Sequence, residues 1–518
     1  MRTRTSVTIH NFFEKHHSIT FRLGWASFII CLSALQFGYH LAELNAPADI
    51  LSCNFDKPGP LPSYDDTIWS QYNFKQCIPM SEEGVALITT SYTIGGLVAS
   101  VILGSTSISM DYGRRSVCIF ASLFFVLGSS LMVMANSAWM INLGRFFNGA
   151  GAASSLIMSP ILINELAPVN HRGLLGALMQ IAVSIGIFLA QYVSYFYSND
   201  QQWRQIFVVA VMIALIQFLG LFSIPESPKW MIMNGGDEDL ARSTLYTLRT
   251  NITTIEYEIH HWHHLAKGTQ SPDENTPLLE EDATSAVDSD GSSISSRKSL
   301  DPPSITITDF LFEHKYRKQL ISVILIMTGQ QLSGMNAITY YGVKILNTLF
   351  NNQGSGGGNY VLVLTCAFSG VNVISSISAA PLIDRLGRKP LLLASIGLCG
   401  LCSLVLAIGI PNKYDVAVIT ACFGFIIGFS IGLGPLPFLM VSELTSHEVV
   451  SLAQSFGTVT NWTANMMVAM LFPLLQNLIG GTVFYIFFAI SVAYLVAFYY
   501  KIPETKGYHH SSDVWEHY

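Results

Sequence analysis

Long apolar stretches, separated by short polar segments, dominate this chain. A helix needs about 20 mostly apolar residues to cross the hydrocarbon core of a membrane. Twelve stretches reach this length, at residues 23–43, 84–105, 115–135, 139–163, 175–197, 204–224, 318–348, 359–382, 389–411, 415–440, 452–475 and 480–501. The pattern therefore predicts an all-α membrane protein with twelve transmembrane helices.

The polar segments divide the chain into five parts. We expect residues 1–22 to be a cytosolic leader rather than a removed signal peptide, because no small-residue cleavage site follows. The longest interruption predicts a cytosolic linker with short helices, and its residues 268–305 are rich in Ser, Asp, Pro and Gly, which is typical of disorder. The predicted parts are the leader, a six-helix half at 23–224, the linker at 225–317, a second six-helix half at 318–501 and a cytosolic tail at 502–518.

Composition supports this interpretation. The 518 residues include 27 Lys and Arg and 34 Asp and Glu, so only 12% of the chain is charged, whereas soluble domains carry about 25%. The low fraction excludes a soluble multidomain enzyme, a disordered protein and a nucleic-acid-binding protein. Outside the long linker, twelve of eighteen basic residues fall on the side that holds both termini. The positive-inside rule predicts that this side is cytosolic.

Three motifs occur twice. The turn at 111–115 recurs at 384–389, Glu165 recurs as Glu443, and the Pro-Glu segment at 225–228 recurs at 503–506. The spacing is close to 278 residues each time, so the two halves are a duplication. We interpret the charged residues at the cytosolic helix ends as salt bridges that break when the halves rock open, although they could instead be topology signals or snorkelling residues. They are Arg114, Arg115, Glu165, Arg172, Asp384, Arg388 and Glu443.

An ordered set of motifs resembles the sugar-porter family of the major facilitator superfamily from about residue 25 to 507. The matching segments are 36–39, 45–47, 144–145, 165–173, 225–230, 330–337, 434–438, 461–465 and 503–507. His40 after Phe-Gly-Tyr and Trp515 near the end are most similar to a fungal vacuolar or endomembrane branch. The resemblance implies the major facilitator fold and a carrier function.

Amide side chains inside apolar helices are costly unless they have partners. They both donate and accept hydrogen bonds without carrying charge, which suits a neutral polyhydroxylated ligand; the alternative is hydrogen bonding between helices. With two aromatic residues for the apolar face of a sugar ring, the resemblance implies a binding set of Gln180, Gln330, Gln331, Asn336, Asn372, Phe438, Trp462 and Asn465. Phe438 departs from the Trp that many hexose facilitators have.

These residues predict a carrier that moves a monosaccharide, with a hexose favoured, by alternating access. Transport is facilitative or proton-coupled. The alternatives are a carrier for a polyol such as myo-inositol, or a sugar receptor of the same fold that does not transport. An enzyme is not expected, because no intramembrane cluster of His with Asp or Glu is evident, and neither a cofactor nor a metal is predicted.

His40 is a candidate proton site together with Glu43, because an ordinary His changes charge between about pH 5 and 8. The alternative is a neutral His in the place where related facilitators have Asn. On the opposite, oxidising side, Cys53 and Cys77 are predicted to form a disulfide.

The linker contains an acidic dileucine pattern formed by Glu274, Leu278 and Leu279. Such exposed leucines are bound by clathrin-adaptor complexes, so we expect this partner. Together with the resemblance, the pattern favours the vacuolar or another endomembrane, with the plasma membrane as the alternative. The histidines at 260–264 are interpreted as part of a solvated linker helix rather than as a metal site.

Overall fold

The computed structural model describes most of the chain. The described residues are 19–53, 64–105, 112–168, 171–249, 252–266, 307–350, 357–446, 449–506 and 514–515. The dileucine pattern at 274–279 therefore lies outside the described residues.

The first half consists of six long helices. They are α1 Phe21–Ala42, α2 Glu82–Ser105, α3 Arg114–Val133, α4 Ala138–Leu166, α5 Arg172–Tyr197 and α6 Arg204–Leu221. Four short helices lie in the linker: α7 Pro228–Met233, α8 Glu238–Leu248, α9 Ile252–Ala266 and α10 Ile307–Phe312. The described residues contain no β-strand.

Six spans also make up the second half, but two of them are broken. Its helices are α11 Arg317–Leu332, α12 Met335–Phe350, α13 Gly357–Leu386, α14 Arg388–Asn412, α15 Asp415–Ile431, α16 Leu436–Leu444, α17 Val450–Ile479 and α18 Phe484–Lys501. The pairs α11–α12 and α15–α16 each form one span, since they belong to continuous apolar stretches at 314–343 and 415–444.

By length and hydropathy, eleven described stretches can cross a membrane, and the last runs from Leu452 to Lys501. That stretch contains both α17 and α18, separated by a turn at Gly480–Val483. The total is therefore twelve spans, and the predicted all-α fold of two six-helix halves is confirmed. We name its two faces by the predicted orientation, cytosolic and exoplasmic.

Local sequence explains where several helices begin. The hydroxyl of Thr20 accepts a hydrogen bond from the backbone N–H of Leu23 at 3.2 Å and caps α1. Ser227 caps α7 in the same way, with Pro228 in the first turn, where the missing N–H of proline costs nothing. Asp237 caps α8 through the N–H of Leu240 at 3.1 Å. Such caps stabilise a helix by about 1 kcal/mol each.

The linker helices are attached to the first half. Arg249, which is 5% exposed, forms two 3.1 Å contacts with the carboxylate of Glu258 and donates to the backbone oxygen of Leu166 at 2.6 Å. Within α8, the exposed Arg242 donates a hydrogen bond to Glu238 that lowers the pKa of the Glu238 carboxyl, and Arg242 also pairs with Glu256 of α9. The linker thus holds the cytosolic end of α4.

On the exoplasmic face, Cys53 and Cys77 form a disulfide. The loop that it closes packs on Arg204 at the start of α6, whose guanidinium donates to the backbone oxygens of Lys75 at 2.7 Å and Ala135 at 3.0 Å. The ring of Trp203 lies 4.2 Å from the same guanidinium. Arg204 therefore fixes the described end of this loop against the start of α6.

The two halves meet along paired helices. In the described residues, α2 packs along α17 and α5 packs along α13. The candidate site residues lie on α5 of the first half and on α13, α17 and the broken spans of the second half, so the interface positions them.

Candidate functional site

The break between α11 and α12 concentrates polar side chains. Gly334 has a φ of +98°, a left-handed conformation that favours glycine. The ring of Phe487 lies 3.0 Å from where a Cβ would stand. The break therefore requires glycine, and it turns the amides on both sides of it towards α17.

The amides on either side of this break form one hydrogen-bonded network. Gln331 donates to Asn461 Oδ1 at 2.9 Å and accepts a short hydrogen bond from Asn336. Asn336 also donates to Asn465 Oδ1 at 2.9 Å, and the hydroxyl of Tyr340 donates to the same oxygen at 3.2 Å. Four predicted or neighbouring amides thus satisfy one another, which is costly to disrupt in an apolar setting.

Gln330 joins the network to the second broken span. Its Nε2 donates to the backbone oxygens of Leu433 at 2.9 Å and Gly434 at 3.1 Å, in the break between α15 and α16. Its Oε1 accepts from Asn461 at 2.7 Å. Both helix breaks therefore meet at one glutamine.

Two predicted residues lie at the interface between the halves. Asn372 of α13 accepts hydrogen bonds from Ser184 of α5 at 3.4 Å and from Ser430 of α15 at 2.7 Å. Gln180 of α5 reaches the second half, because its Nε2 lies 3.2 Å from where a Cβ on Gly434 would stand. The structure thus brings the predicted amides of both halves to one region.

The two predicted aromatic residues lie in different places. Trp462 is 2% exposed and packs against α1 and α2, with its ring 6.1 Å from Phe37 and 5.7 Å from Tyr92. Phe438 packs instead with the buried cluster around Phe310 near the cytosolic face. The structure does not bring Phe438 together with the amide network.

A cavity lies between the halves, lined by residues of both. Its volume, measured as the space open to the centre of a water molecule, is about 50 Å³. One water needs about 10–15 Å³ of such space, so the cavity must widen to admit a hexose. Asn45, Gln191, Thr339, Ser369 and Asn372 are among its lining residues.

Four of these five lining residues were not predicted as site residues, and two of the four, Gln191 and Asn45, carry amides. Gln191 lies eleven positions after Gln180, three helical turns on, which places both on one face of α5. Its buried Oε1 has no hydrogen-bond partner among the described residues. Asn45 accepts a hydrogen bond from the backbone N–H of Val343 in α12 at 3.1 Å. Spacing could have revealed Gln191; the partner of Asn45 could not be foreseen.

An ionic cluster is buried within the first half. Glu43 Oε1 lies 3.0 Å from His40 Nδ1 and 2.9 Å from Arg145 Nη1, and the same Arg145 nitrogen donates to the backbone oxygen of His40 at 2.7 Å. All three side chains are at most 1% exposed. The structure thus brings together the predicted pair of His40 and Glu43, and it shows that the expectation of no intramembrane cluster of His with a carboxylate was wrong.

The cluster is incompletely paired. Within the part of the chain that the structure describes, His40 Nε2, Glu43 Oε2 and Arg145 Nε have no hydrogen-bond partner. Tyr92 faces the guanidinium at 4.4 Å and Phe125 stacks on the imidazole at 5.3 Å. Buried ionisable groups within membrane-spanning helices mark functional sites. The role of Arg145 was missed, because 102 residues separate it from Glu43.

The predicted gating residues form matching pairs. Arg114 Nε lies 3.1 Å from Glu165 Oε2, and Arg388 Nη2 lies 3.1 Å from Glu443 Oε1. Both pairs are partly exposed, so each contributes little more than about 1 kcal/mol. Arg115 takes part through its backbone N–H, which donates to Glu226. The side chains of Arg172 and Asp384 lie outside what the structure describes.

Each half has one further carboxylate near its ion pair, and sequence reasoning missed the role of both. Glu226 accepts the backbone N–H of Arg115 at 2.9 Å, and Glu504 accepts those of Arg388 and Lys389 at 2.9 Å each. Each carboxylate thus caps the positive end of a helix in its own half. The glycines before these helices have φ values of +82° at Gly113 and +93° at Gly387.

No site for a metal emerges from the described part of the chain, where no group of three or more His, Cys, Asp or Glu could hold one. The linker histidines instead contact neighbouring side chains. His263 lies 3.1 Å from Glu238, and His261 stacks on Tyr257.

Comparison with known proteins supplies the family context. The model of the family "Sugar (and other) transporter" matches residues 26–512. The chain is 34% identical to a probable metabolite transport protein of Saccharomyces cerevisiae, covering 96% of both chains. It is 30% identical to vacuolar protein sorting-associated protein 73 of the same yeast, covering 95% of this chain and 96% of the relative.

More distant relatives and solved structures are also transporters. The chain is 28% identical to facilitated glucose transporter member 4 of Homo sapiens, covering 94% of this chain and 89% of the relative. Among solved structures, the proton:xylose symporter XylE bound to 6-bromo-6-deoxy-D-glucose matches with a TM-score of 0.71 and 19% identity, covering 95% of this chain and 99% of that one. This match shows the major facilitator fold.

Proposed function

Because the chain belongs to the sugar (and other) transporter family, whose members compared above are carriers and not enzymes, we propose that it carries a monosaccharide across a membrane by alternating access. A hexose is the favoured substrate. The observation that carries this proposal is the uncharged network of amides in the second half, together with a cavity between the halves that other amides line. The network consists of Gln330, Gln331, Asn336, Asn461 and Asn465.

The chemistry of the network supports a neutral polyhydroxylated substrate. Each amide offers a donor and an acceptor, and a sugar hydroxyl can exchange for either partner without leaving a charge unpaired. Asn372 and Gln191 line the cavity from opposite halves, so a sugar held by both would link the halves. Their relative movement would then depend on occupancy.

The gates support alternating access. Arg114–Glu165 and Arg388–Glu443 tie helices within each half at the cytosolic face. They are weak enough to open on the timescale of transport, and the helix caps by Glu226 and Glu504 are formed at the same face.

We test the function by uptake of tritiated sugars into proteoliposomes. The panel contains D-glucose, D-fructose, D-xylose and myo-inositol, each with and without an inward proton gradient. Saturable hexose uptake, blocked by excess unlabelled hexose, is expected. Uptake of myo-inositol alone would establish the polyol carrier, and saturable binding without any uptake would establish the receptor.

Proton coupling is a second candidate, and the buried contact of His40 with Glu43 supports it. If the cluster carries a proton, sugar uptake alkalinises the donor compartment, and His40→Asn keeps sugar exchange but loses this signal. Sugar movement without proton flux, at a rate that is flat from about pH 5 to 8, would instead establish facilitation.

We further propose residence in the vacuolar or another endomembrane, with the plasma membrane as the alternative. Support comes from the dileucine pattern at 274–279. In this proposal a clathrin-adaptor complex binds the pattern. The name of the yeast relative, a vacuolar protein sorting-associated protein, points the same way. A fluorescent fusion imaged beside a vacuolar marker tests this.

A further inference from the structure

Tyr92 of α2 lies between the ionic cluster of the first half and the tryptophan of the second. On one side its ring faces the Arg145 guanidinium, 4.4 Å from the ring centroid. On the other side the ring of Trp462 approaches edge-on at 5.7 Å. Tyr92 is 0% exposed, so both contacts are sheltered from water, where cation–π attraction is strongest.

Trp462 is held against α2 closely enough to transmit movement. Gly96, one turn after Tyr92, leaves the space that the indole occupies, because a Cβ there would stand 2.5 Å from Trp462 Cε3. A displacement of the indole therefore changes its contact with the Tyr92 ring. A packed interior shifts between discrete arrangements rather than deforming continuously.

The ring, and not the hydroxyl, makes these contacts. The Tyr92 hydroxyl has no hydrogen-bond partner among the described residues. Substitution by phenylalanine therefore removes no hydrogen bond of this conformation, whereas an aliphatic residue removes the aromatic face under Arg145.

We propose that Tyr92 is a positioning residue that couples sugar occupancy at Trp462 to the Glu43–Arg145 pair. A sugar that moves the indole shifts the Tyr92 ring, and the ring changes how firmly Arg145 holds the Glu43 carboxylate, 2.9 Å away. This inference rests on the proposed sugar-carrier function and adds an energetic coupling between residues of the two halves. It requires no proton movement.

The test is a set of mutant cycles on the purified full chain. Binding of tritiated D-glucose is measured for Glu43→Gln in three backgrounds: wild type, Tyr92→Phe and Tyr92→Leu. Glu43→Gln should change the glucose Kd at least threefold in the wild type and in Tyr92→Phe, and less than 1.5-fold in Tyr92→Leu. If only the Tyr92 hydroxyl mattered, Tyr92→Phe would lose the effect of Glu43→Gln on Kd; the proposal predicts that this variant keeps it.

A second readout needs no sugar. The shifts in Tm caused by Glu43→Gln and by Trp462→Leu should be non-additive with Tyr or Phe at position 92 and additive with Leu. If Tyr92→Leu does not elute as a single species, Tyr92→Met, which keeps the bulk without the ring, replaces it.

Equal effects of Glu43→Gln in all backgrounds, in Kd or in Tm, would overturn the coupling. So would a wild-type Kd that Glu43→Gln leaves unchanged. Failure of glucose and the other panel sugars to bind or to be taken up would instead contradict the proposed function, and the Tm cycle would still decide the coupling.

Discussion

The close packing of Trp462 against Gly96 of α2 allows a specific test of the proposed sugar site. Replacing Gly96 with alanine adds a methyl group whose Cβ would stand 2.5, 2.6 and 2.7 Å from three carbon atoms of the indole. Ordinary carbon–carbon contacts lie at about 3.5–4.0 Å. The indole must therefore move by roughly 1 Å, because the backbone of α2 is held within the bundle.

Overpacking of this kind costs about 1–3 kcal/mol. If the indole stacks on the sugar, the same displacement weakens binding, and about 1.4 kcal/mol corresponds to a factor of ten. We therefore expect Gly96→Ala to raise the KM for hexose uptake about 5- to 150-fold, with a lower Tm.

Gly176→Ala is the matched control. Gly176 lies in α5, and no atom lies within 4 Å of where its Cβ would stand. There alanine should only add helix propensity, worth up to about 1 kcal/mol. Both variants are reconstituted and assayed for uptake at several sugar concentrations. A KM for Gly96→Ala equal to that of Gly176→Ala would refute the placement of Trp462 in the sugar site.

Asn336→Ala should weaken hexose binding about tenfold, since one lost hydrogen bond in a buried network costs about 1–3 kcal/mol; unchanged equilibrium binding would contradict this. Leu278→Ala with Leu279→Ala should move a fluorescent fusion from the vacuolar membrane towards the plasma membrane, and an unchanged image would place the sorting signal elsewhere. Cys77→Ser should lower the free energy of unfolding by about 2–4 kcal/mol, seen as a fall in Tm that reductant reproduces in the wild type but not in the variant. The hydrogen bond from Arg242 lowers the pKa of the Glu238 carboxyl. The pair therefore contributes fully to linker stability above the ordinary pKa of 4.5, and this contribution is lost as pH falls through the lower pKa of the folded state. Hydrogen exchange in α8 should rise on acidification through this range, and an unchanged exchange rate would count against the pair.

The helices could be predicted because membrane thickness fixes the length of an apolar span. The duplication could be read as well, since motifs such as Glu165 and Glu443 recur at a constant spacing. The breaks inside two spans could not be read, because hydropathy runs on unchanged through Gly334 and only the backbone conformation reveals the break.

Part of the candidate site was also accessible. Polar amides are easy to recognise within an apolar span, and Gln331, Asn336 and Asn465 do lie together. Partners that meet only in three dimensions were not accessible. Arg145 pairs with Glu43 across 102 residues, and Glu226 binds backbone N–H groups that no residue pattern displays.

Countertransport tests the central claim most directly. Proteoliposomes preloaded with unlabelled D-glucose are diluted into tritiated D-glucose at a concentration below the KM. A carrier whose site alternates between the two faces should accumulate label transiently above its equilibrium level, and Asn336→Ala should reduce this overshoot. Label that rises monotonically to equilibrium, at the same rate in empty and preloaded vesicles, would contradict alternating access.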